Sequence, residues 1–240
     1  MIGAFERAKR YIISQSEEAE EGRKFDVPRG PCITISRETG AGADAVSELL
    51  VKFFQPYTKF GSPEWTIFDK NLIERVLRDH NLPLSLSRIL ENEKYSSIQS
   101  MVGQLLGGHP DTLSLVRKTT ETILQLAYVG NVIIIERGAN VVTSRMDNVF
   151  HVRLVSEFTD RIKHTMEVYN FNREDAIKFI EKDDVGRKNY LETYFHKDID
   201  NPSLYHLVIN THIVQYEEAA EIIGGALIKK YPGLFVNLPY

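Results

Sequence analysis

Short apolar runs alternate with longer amphipathic stretches along most of this chain. Five of the runs have the length and the flanking turn residues of β-strands: 32–36, 65–69, 131–136, 149–154 and 205–210. The stretches between and after them repeat apolar residues every three or four positions, which predicts helices at 44–55, 70–79, 111–129, 157–182 and 216–229. Strands that alternate with helices indicate an α/β fold, with a parallel sheet covered by helices on both faces.

Two regions stand outside that alternation. Residues 4–22 place Phe5, Ala8 and Ile12 on one face of a predicted amphipathic helix. Such a helix either packs at the edge of the domain or joins copies of the chain into a homo-oligomer. Residues 81–110 have weak periodicity and several glycines and prolines, so we expect an inserted helical segment there.

The first strand runs into a glycine-bearing turn that opens directly into a helix. The turn reads Arg37-Glu38-Thr39-Gly40-Ala41-Gly42-Ala43-Asp44. Glycines allow backbone amides to converge and the helix N-terminus adds a positive dipole, so this sequence of elements is typical of a phosphate site. We therefore expect the segment from Thr39 to Asp44 to hold the phosphates of a nucleotide. The alternative is an ordinary strand-to-helix turn in which Asp44 complements the helix dipole.

This turn departs from the P-loop consensus G-x-x-x-x-G-K-[ST]. When Gly42 is taken as the second glycine, Arg37 replaces the first glycine, Ala43 the lysine and Asp44 the hydroxyl residue. Loss of one preorganised charge-stabilising group typically costs about 10²–10³ in rate. An active enzyme would need another cation in place of the lysine, and Arg37 and Arg137, both at strand ends, are the candidates.

Two carboxylates end predicted strands at the edge where α/β sheets bind ligands. Asp69 follows Trp65-Thr66-Ile67-Phe68, and Glu136 follows Val132-Ile133-Ile134-Ile135. An acid in this position is typical of the Walker-B residue that holds Mg²⁺ directly or through water. The alternative for each residue is a cap at the start of the following helix.

Composition and charge exclude several classes of protein. The chain has 240 residues, 42% of them hydrophobic and 26% charged, which fits one globular α/β domain. Its net charge of −4 argues against a broad nucleic-acid-binding surface. Cys32 is the only cysteine, which excludes an internal disulfide framework and a multi-cysteine metal site. Without an apolar run of about 18 residues or a signal-peptide core in residues 1–25, we expect a cytoplasmic protein that does not contact membranes.

Several segments together resemble the cytidylate-kinase-like group of P-loop nucleoside monophosphate kinases. The matching segments are 35–42, 68–73, 130–140, 151–154 with 160–161, 184–190 and 201–211. They cover most of residues 31–226 in the order of the family. The resemblance implies a P-loop NTPase-type fold with a five-stranded parallel sheet in the order 2-3-1-4-5, helices on both faces and a helical lid that carries arginines.

The same resemblance implies roles for individual residues. Gly40 and Gly42 match the phosphate loop, and Asp69 matches the acid near the acceptor phosphate. Arg161 and Arg187 match the arginines that flank and form the lid.

The family's acceptor-contacting arginine corresponds to Arg137. Its neighbours differ from the pattern, because Glu136 and Gly138 stand where cytidylate kinases have a glycine and an aspartate. The base preference is therefore left open.

These observations predict an ATP-dependent phosphotransferase that moves the γ-phosphoryl group to a nucleotide acceptor, with CMP as a candidate. The cofactors would be ATP and Mg²⁺, with Asp69 and Glu136 as metal ligands and Asp44 as a further candidate. Arg37, Arg137, Arg187 and Asp69 would be catalytic, while Arg161 and residues 39–44 would bind the nucleotide. Two alternatives are a catalytically weak nucleotide-binding regulator and a kinase of another small acceptor.

The predicted organisation has three parts. An N-terminal helix and linker occupy 1–30, a kinase-like domain occupies 31–231, and a C-terminal tail occupies 232–240. Within the domain, the acceptor region spans about 70–128 and the lid about 182–200. Asp183 and Asp184 lie in the charge-rich start of that lid, where we expect them to be solvated.

Overall fold

The computed structural model describes residues 4–20, 30–58, 62–78, 92–106 and 114–238. Its strands are β1 (Cys32–Arg37), β2 (Thr66–Asp69), β3 (Val132–Ile135), β4 (Val149–Val155) and β5 (Leu207–Asn210). The α-helices are α1 (Ala4–Glu20), α2 (Ala43–Phe54), α3 (Lys70–Arg78), α4 (Asn92–Leu106), α5 (Ser114–Val129), α6 (Ala139–Val142), α7 (Phe158–Tyr169), α8 (Arg173–Phe195) and α9 (Tyr216–Lys230). Short 3₁₀ helices occupy Gln55–Tyr57, Pro202–Leu204 and Pro232–Leu234.

The five strands that the structure describes form one parallel sheet in the order β2-β3-β1-β4-β5. This confirms the predicted order and the central place of the first strand. Ile33 of β1 lies in register with Ile133 of β3 on one side and with Phe150 of β4 on the other. Parallel neighbours need long crossovers, which the amphipathic helices provide.

Helices cover both faces of the sheet and form two hydrophobic cores. Cys32, Phe68 and Ile134 point to the face covered by α1, α3, α4 and α5. Ile33 and Ile135 point to the face covered by α2 and α9. Because successive strand residues face opposite sides, an unbroken apolar run such as β3 is buried on both.

The N-terminal helix α1 packs on its own domain. Ala8, Tyr11 and Ile12 are buried, the Tyr11 hydroxyl donates to the carbonyl of Gly130 over 2.5 Å, and its ring meets Phe68 edge to face. The apolar face of α1, which could have joined copies of the chain, therefore packs within the chain. The predicted residues 21 and 22 of this helix lie outside the described residues.

The predicted helix over 157–182 is wrong, because this stretch contains two helices. α7 ends at Tyr169, and Asn170 adopts a left-handed conformation with φ 54°, which asparagine tolerates better than most residues. The side chain of Asn172 then accepts the amide of Asp175 over 2.9 Å and caps α8. α8 continues to Phe195 and contains much of the predicted lid.

The structure describes part of the predicted insert, 81–110, and most of the predicted tail, 232–240. The described part of 81–110 contains α4, whereas residues 81–91 and 107–110 lie outside the described residues. In the predicted tail, Phe235 is buried against Phe54, and the amide of Val236 donates to the carbonyl of Tyr57 over 2.9 Å. No helix among the described residues is long and apolar enough to cross a membrane.

Candidate active site

The glycine turn, residues 38–42, connects the central strand β1 to α2 at the carboxyl edge of the sheet. Gly40 and Gly42 have φ values of 87° and 79°, a region that favours glycine. A Cβ on Gly40 would lie 2.5 Å from the carbonyl oxygen of Arg161, and one on Gly42 would lie 2.3 Å from the ring of Tyr216. The glycines are therefore required by the backbone and by packing on α7 and α9, in addition to any ligand.

Two carboxylates of α8 lie against this turn. Asp184 Oδ1 accepts the backbone amide of Thr39 over 2.8 Å, and Asp183 Oδ2 accepts the Thr39 hydroxyl over 3.0 Å. The side chain of Asp184 is only 30% exposed and that of Asp183 only 20%. The expectation that Asp183 and Asp184 are solvated is wrong, because the turn at Asn170 brings α8 back over the glycine turn.

Asp183 joins two of the predicted catalytic arginines. Its Oδ1 accepts from Arg137 Nη2 over 2.7 Å, and its Oδ2 accepts from Arg187 Nη2 over 2.5 Å. Burial alone would raise the pKa of Asp183. The charge and hydrogen bond of Arg187, the hydroxyl of Thr39 and the charge of Arg137 outweigh that effect and hold its pKa below the usual value.

Arg161 lies beneath the glycine turn in the first turns of α7. Its guanidinium is bound to Asp184 and lies 3.4 Å from Glu38 Oε2, while its Nε donates to the carbonyl of Thr39 over 2.8 Å. Arg161 is only 7% exposed. It holds the glycine turn and α8 together through these contacts.

Arg37 leaves the end of β1 and enters the crevice between the turn and α8. It lines the cavity at the turn together with Asp183 and Arg187, and its Nη1 donates to the carbonyl of Ile135 over 3.4 Å. Burial lowers the pKa of Arg37 to about 10, helped by the charge of Arg187 and opposed by nearby acids. Arg37 therefore stays a cation at neutral pH.

The cavity at the glycine turn is small, about 50 Å³. One water molecule takes about 30 Å³ in the liquid, so this space is less than a polyphosphate requires. The carboxylates of Asp183 and Asp184 occupy donors of the turn, which are the groups a bound phosphate would need. In this arrangement the protein supplies its own anions to the turn.

A second cavity of about 270 Å³ lies on the α3 and α5 side of the sheet, and we call it the Glu136 cavity. It is lined by Lys70, Ile73, Glu74, Leu115, Val116, Thr119, Glu136, Arg137, Tyr190 and Tyr194. Glu136 is 6% exposed, and its Oε2 has no hydrogen-bond partner among the described residues. Burial raises the pKa of Glu136, although the amide of Arg137 and the charges of Arg37, Arg137 and Lys70 oppose the shift.

Asp69 and Glu136, the predicted metal ligands, line different cavities. Asp69 Oδ1 accepts the amide of Leu72 over 2.7 Å at the start of α3, and Asp69 lines a space of about 420 Å³ together with Asp44. Asp69 lies in register with Ile135, so Glu136, one residue further on, points to the opposite face.

These acids therefore do not form a preformed magnesium site. No group of three or more His, Cys, Asp or Glu suited to a metal occurs in the part of the chain that the structure describes. Mg²⁺ in phosphoryl-transfer enzymes is often held by one or two carboxylates together with the substrate phosphates. The metal roles of Asp69 and Glu136 stay a prediction.

Sequence reasoning missed Asp183, Asp184, Tyr190 and Tyr194 as site residues. The spacing of Asp183 and Arg187, four residues apart on one helix, is the local signal that would have suggested their pairing. It gave no sign that the pair faces the glycine turn. Tyr190 and Tyr194 form an edge-to-face pair with ring centroids 4.9 Å apart, and their place in the Glu136 cavity depends on where α8 passes.

The sequence profile of the cytidylate kinase-like family matches residues 32–213. No curated protein matches the chain. Among solved structures, an uncharacterized protein from Eubacterium ventriosum is 17% identical, with a TM-score of 0.54 over 82% of this chain and 98% of that one.

Two further solved structures also align with the chain. Shikimate kinase from Acinetobacter baumannii in complex with shikimate is 14% identical, with a TM-score of 0.39 over 84% of this chain and 95% of that one. TT1252 from Thermus thermophilus is 12% identical, with a TM-score of 0.36 over 83% of this chain and 97% of that one. The Eubacterium likeness shows a shared fold, and the TM-scores of these two are too low to add to it.

Proposed function

The chain belongs to the cytidylate kinase-like family, and we propose that it is a phosphotransferase that moves the γ-phosphoryl group of ATP to a small acceptor. The observation that carries this proposal is the group of arginines around the glycine turn. Arg137, Arg161 and Arg187 bind the two carboxylates that already occupy hydrogen-bond donors of the turn. Arg37 lines the same cavity as Asp183. A turn that already binds two carboxylates of its own chain is suited to bind the phosphates of a nucleotide.

The donor phosphates would lie against the backbone of Thr39 to Asp44 at the N-terminus of α2. No side chain caps this helix end among the described residues, so its amides and its positive dipole are available to an anion. Arg37 and Arg187 line the same cavity. Their guanidinium groups can grip phosphate oxygens in a bidentate manner, and they would replace the missing P-loop lysine.

Nucleotide binding would require α8 to move. Asp183 and Asp184 hold the hydroxyl and amide of Thr39, so incoming phosphates must displace both carboxylates. α8 packs against α7 through Ile162, Ala176 and Ile180, which allows the helix pair to move as one unit. We propose that this α7–α8 pair is the body of the lid predicted at 182–200, and that its return over bound ATP excludes water.

The chemistry at such a site depends mainly on position and charge. Arg37, Arg137 and Arg187 would neutralise the charge that develops on the γ-phosphoryl oxygens. Mg²⁺, when bound with ATP, supplies further positive charge to the β- and γ-phosphates. The acceptor would occupy the Glu136 cavity, and the nucleotide acceptor expected from the family resemblance, with CMP as a candidate, belongs to this proposal.

A second candidate function is a nucleotide-binding regulator with little activity. The absence of the lysine and the occupation of the glycine turn by Asp183 and Asp184 favour it. Both functions share nucleotide binding, so they differ only in whether phosphate is transferred.

Titration calorimetry with ATP and Mg²⁺, followed by an acceptor screen with γ-labelled ATP, tests the proposal. We expect ATP binding and transfer of label to at least one acceptor. ATP binding without transfer would favour the regulator, and lack of ATP binding would overturn both functions. Glu174→Gln is the control variant, because Glu174 lies on α8 in an exposed pair with Lys178 and should leave binding and transfer unchanged.

A further inference from the structure

Glu136 is the buried carboxylate of the site that is least satisfied. Its Oε2 has no partner among the described residues, although buried polar atoms are nearly always hydrogen-bonded in native proteins. The nearby cations do not hydrogen-bond to it, and Arg137 Nε is itself a buried donor without a partner among the described residues. Arg137 directs Nη2 to Asp183 over 2.7 Å, and Lys70 lies 3.7 Å from Glu74. Oε2 is therefore left as an acceptor without a donor in a ligand-sized cavity.

The position of this cavity links it to the glycine turn. The carboxylate of Asp183 bonds the Thr39 hydroxyl on one side and Arg137 on the other, over 3.0 and 2.7 Å. Arg37 bonds the carbonyl of Ile135, the residue before Glu136. A γ-phosphate that replaced the Asp183 carboxylate would thus lie between the glycine turn and the Glu136 cavity.

We propose, on the basis of the phosphotransferase function above, that the acceptor presents an uncharged hydroxyl group to Glu136 Oε2 and receives the phosphoryl group on that hydroxyl. The walls of the cavity, Tyr190, Tyr194, Leu115, Val116 and Ile73, suit an apolar or ring-shaped molecular body. Glu136 is then a catalytic residue, because it touches the reacting hydroxyl.

Hydrogen bonding favours a hydroxyl over a phosphate as the accepting group. Lys70 and Arg137 line the same cavity and offset part of the repulsion between a phosphate and Glu136, but a phosphate dianion has no proton to donate to Oε2. A hydroxyl instead donates to Oε2 and supplies its missing partner.

The step balances with the groups already named. The acceptor oxygen forms a bond to Pγ of ATP, and the bond from Pγ to the β,γ-bridging oxygen breaks, with its electron pair leaving on ADP. The proton of the hydroxyl passes to Glu136 Oε2. The products are ADP, a phosphate monoester and protonated Glu136, which returns its proton to solvent.

Matched acceptor pairs test the inference with the full chain. Nucleosides and their 5′-monophosphates share one molecular body and differ in a hydroxyl against a phosphate, and monosaccharides and cyclic polyols extend the hydroxyl arm. We expect label from γ-labelled ATP to appear in the hydroxyl arm in preference to the phosphate arm. Transfer only to monophosphates would overturn the inference and leave the proposed function standing, whereas ATP binding without transfer in either arm would overturn both.

Variants separate catalysis from a structural role. Glu136→Gln should lower the rate of phosphoryl transfer by about 10²–10⁴-fold, the scale of general base catalysis. Its thermal stability should equal or exceed that of the wild type, because the charge of a buried and unpartnered carboxylate is removed. Retained transfer, or a rate loss that merely follows a loss of stability, would refute the role. Glu174→Gln serves as the control.

Discussion

Asp184→Asn tests whether α8 competes with the nucleotide for the glycine turn. In the structure, Asp184 accepts the amide of Thr39 over 2.8 Å and pairs with the buried Arg161. Asparagine keeps the shape of the side chain but has one acceptor oxygen instead of two. When that oxygen faces the charged Arg161, the hydrogen bond from the Thr39 amide is lost. Under the proposed function, ATP binds only after α8 leaves the turn, so a weaker closed state raises the apparent affinity for ATP.

The expected magnitude follows from the contact with Thr39, because the pair with Arg161 lies within the α7–α8 unit and is kept when α8 leaves the turn. A hydrogen bond to a charged group contributes about 1.5–3 kcal/mol, so the closed state should lose about 2 kcal/mol. At 1.4 kcal/mol per factor of ten, ATP should bind about 30-fold more tightly. Arg161 keeps Glu38 at 3.4 Å and the carbonyl of Thr39, so the variant should still fold.

Titration calorimetry measures this change, with ATP and with inorganic triphosphate as ligands. Triphosphate lacks the nucleoside, so a similar gain for both ligands would locate the competition at the phosphates. Glu174→Gln removes a negative charge from an exposed pair on the same helix and should change neither affinity. An Asp184→Asn protein that is folded but binds ATP no more tightly than the wild type would refute the reasoning.

Three other predictions concern the arginines of the site, the glycine turn and a buried histidine. Arg137→Ala should lower the transfer rate by about 10²-fold or more with little loss of thermal stability, and Arg37→Ala should behave similarly. Wild-type turnover in both variants would show that these arginines do not replace the lysine. Gly42→Val should lower the melting temperature as well as the affinity for ATP, because φ is 79° and the new Cβ would collide with the ring of Tyr216; a fully stable variant with unchanged ATP affinity would contradict both the packing and the phosphate site. Burial lowers the pKa of His151 to about 4, so this group is neutral when folded but gains a proton when unfolded below about pH 6.5. The contribution of His151 to the free energy of unfolding, measured by urea denaturation, should therefore fall by about 2 kcal/mol between pH 7.5 and 5. His151→Gln should lose that part of the pH dependence.

The sequence by itself determined the sheet and the location of the candidate site. Strand and helix patterns are local in sequence, because the side chains that face a core recur every second residue in a strand and about every 3.6 residues in a helix. The parallel architecture and the glycine turn after β1 followed from those patterns, and the family resemblance supplied the strand order. Arg37, Arg137, Asp69 and Glu136 were placed correctly at strand ends for the same reason.

The tertiary structure alone decided which of these residues meet. Asp183 and Asp184 look like solvated helix charges until the left-handed Asn170 turns α8 back over the glycine turn. That path depends on long-range packing of α7 and α8, which a local pattern does not encode. Asp69 and Glu136 look like one pair of acids, but their register places them on opposite faces of the sheet. A shift of one residue in strand register reverses the face that a side chain occupies, and only the paired strands fix it.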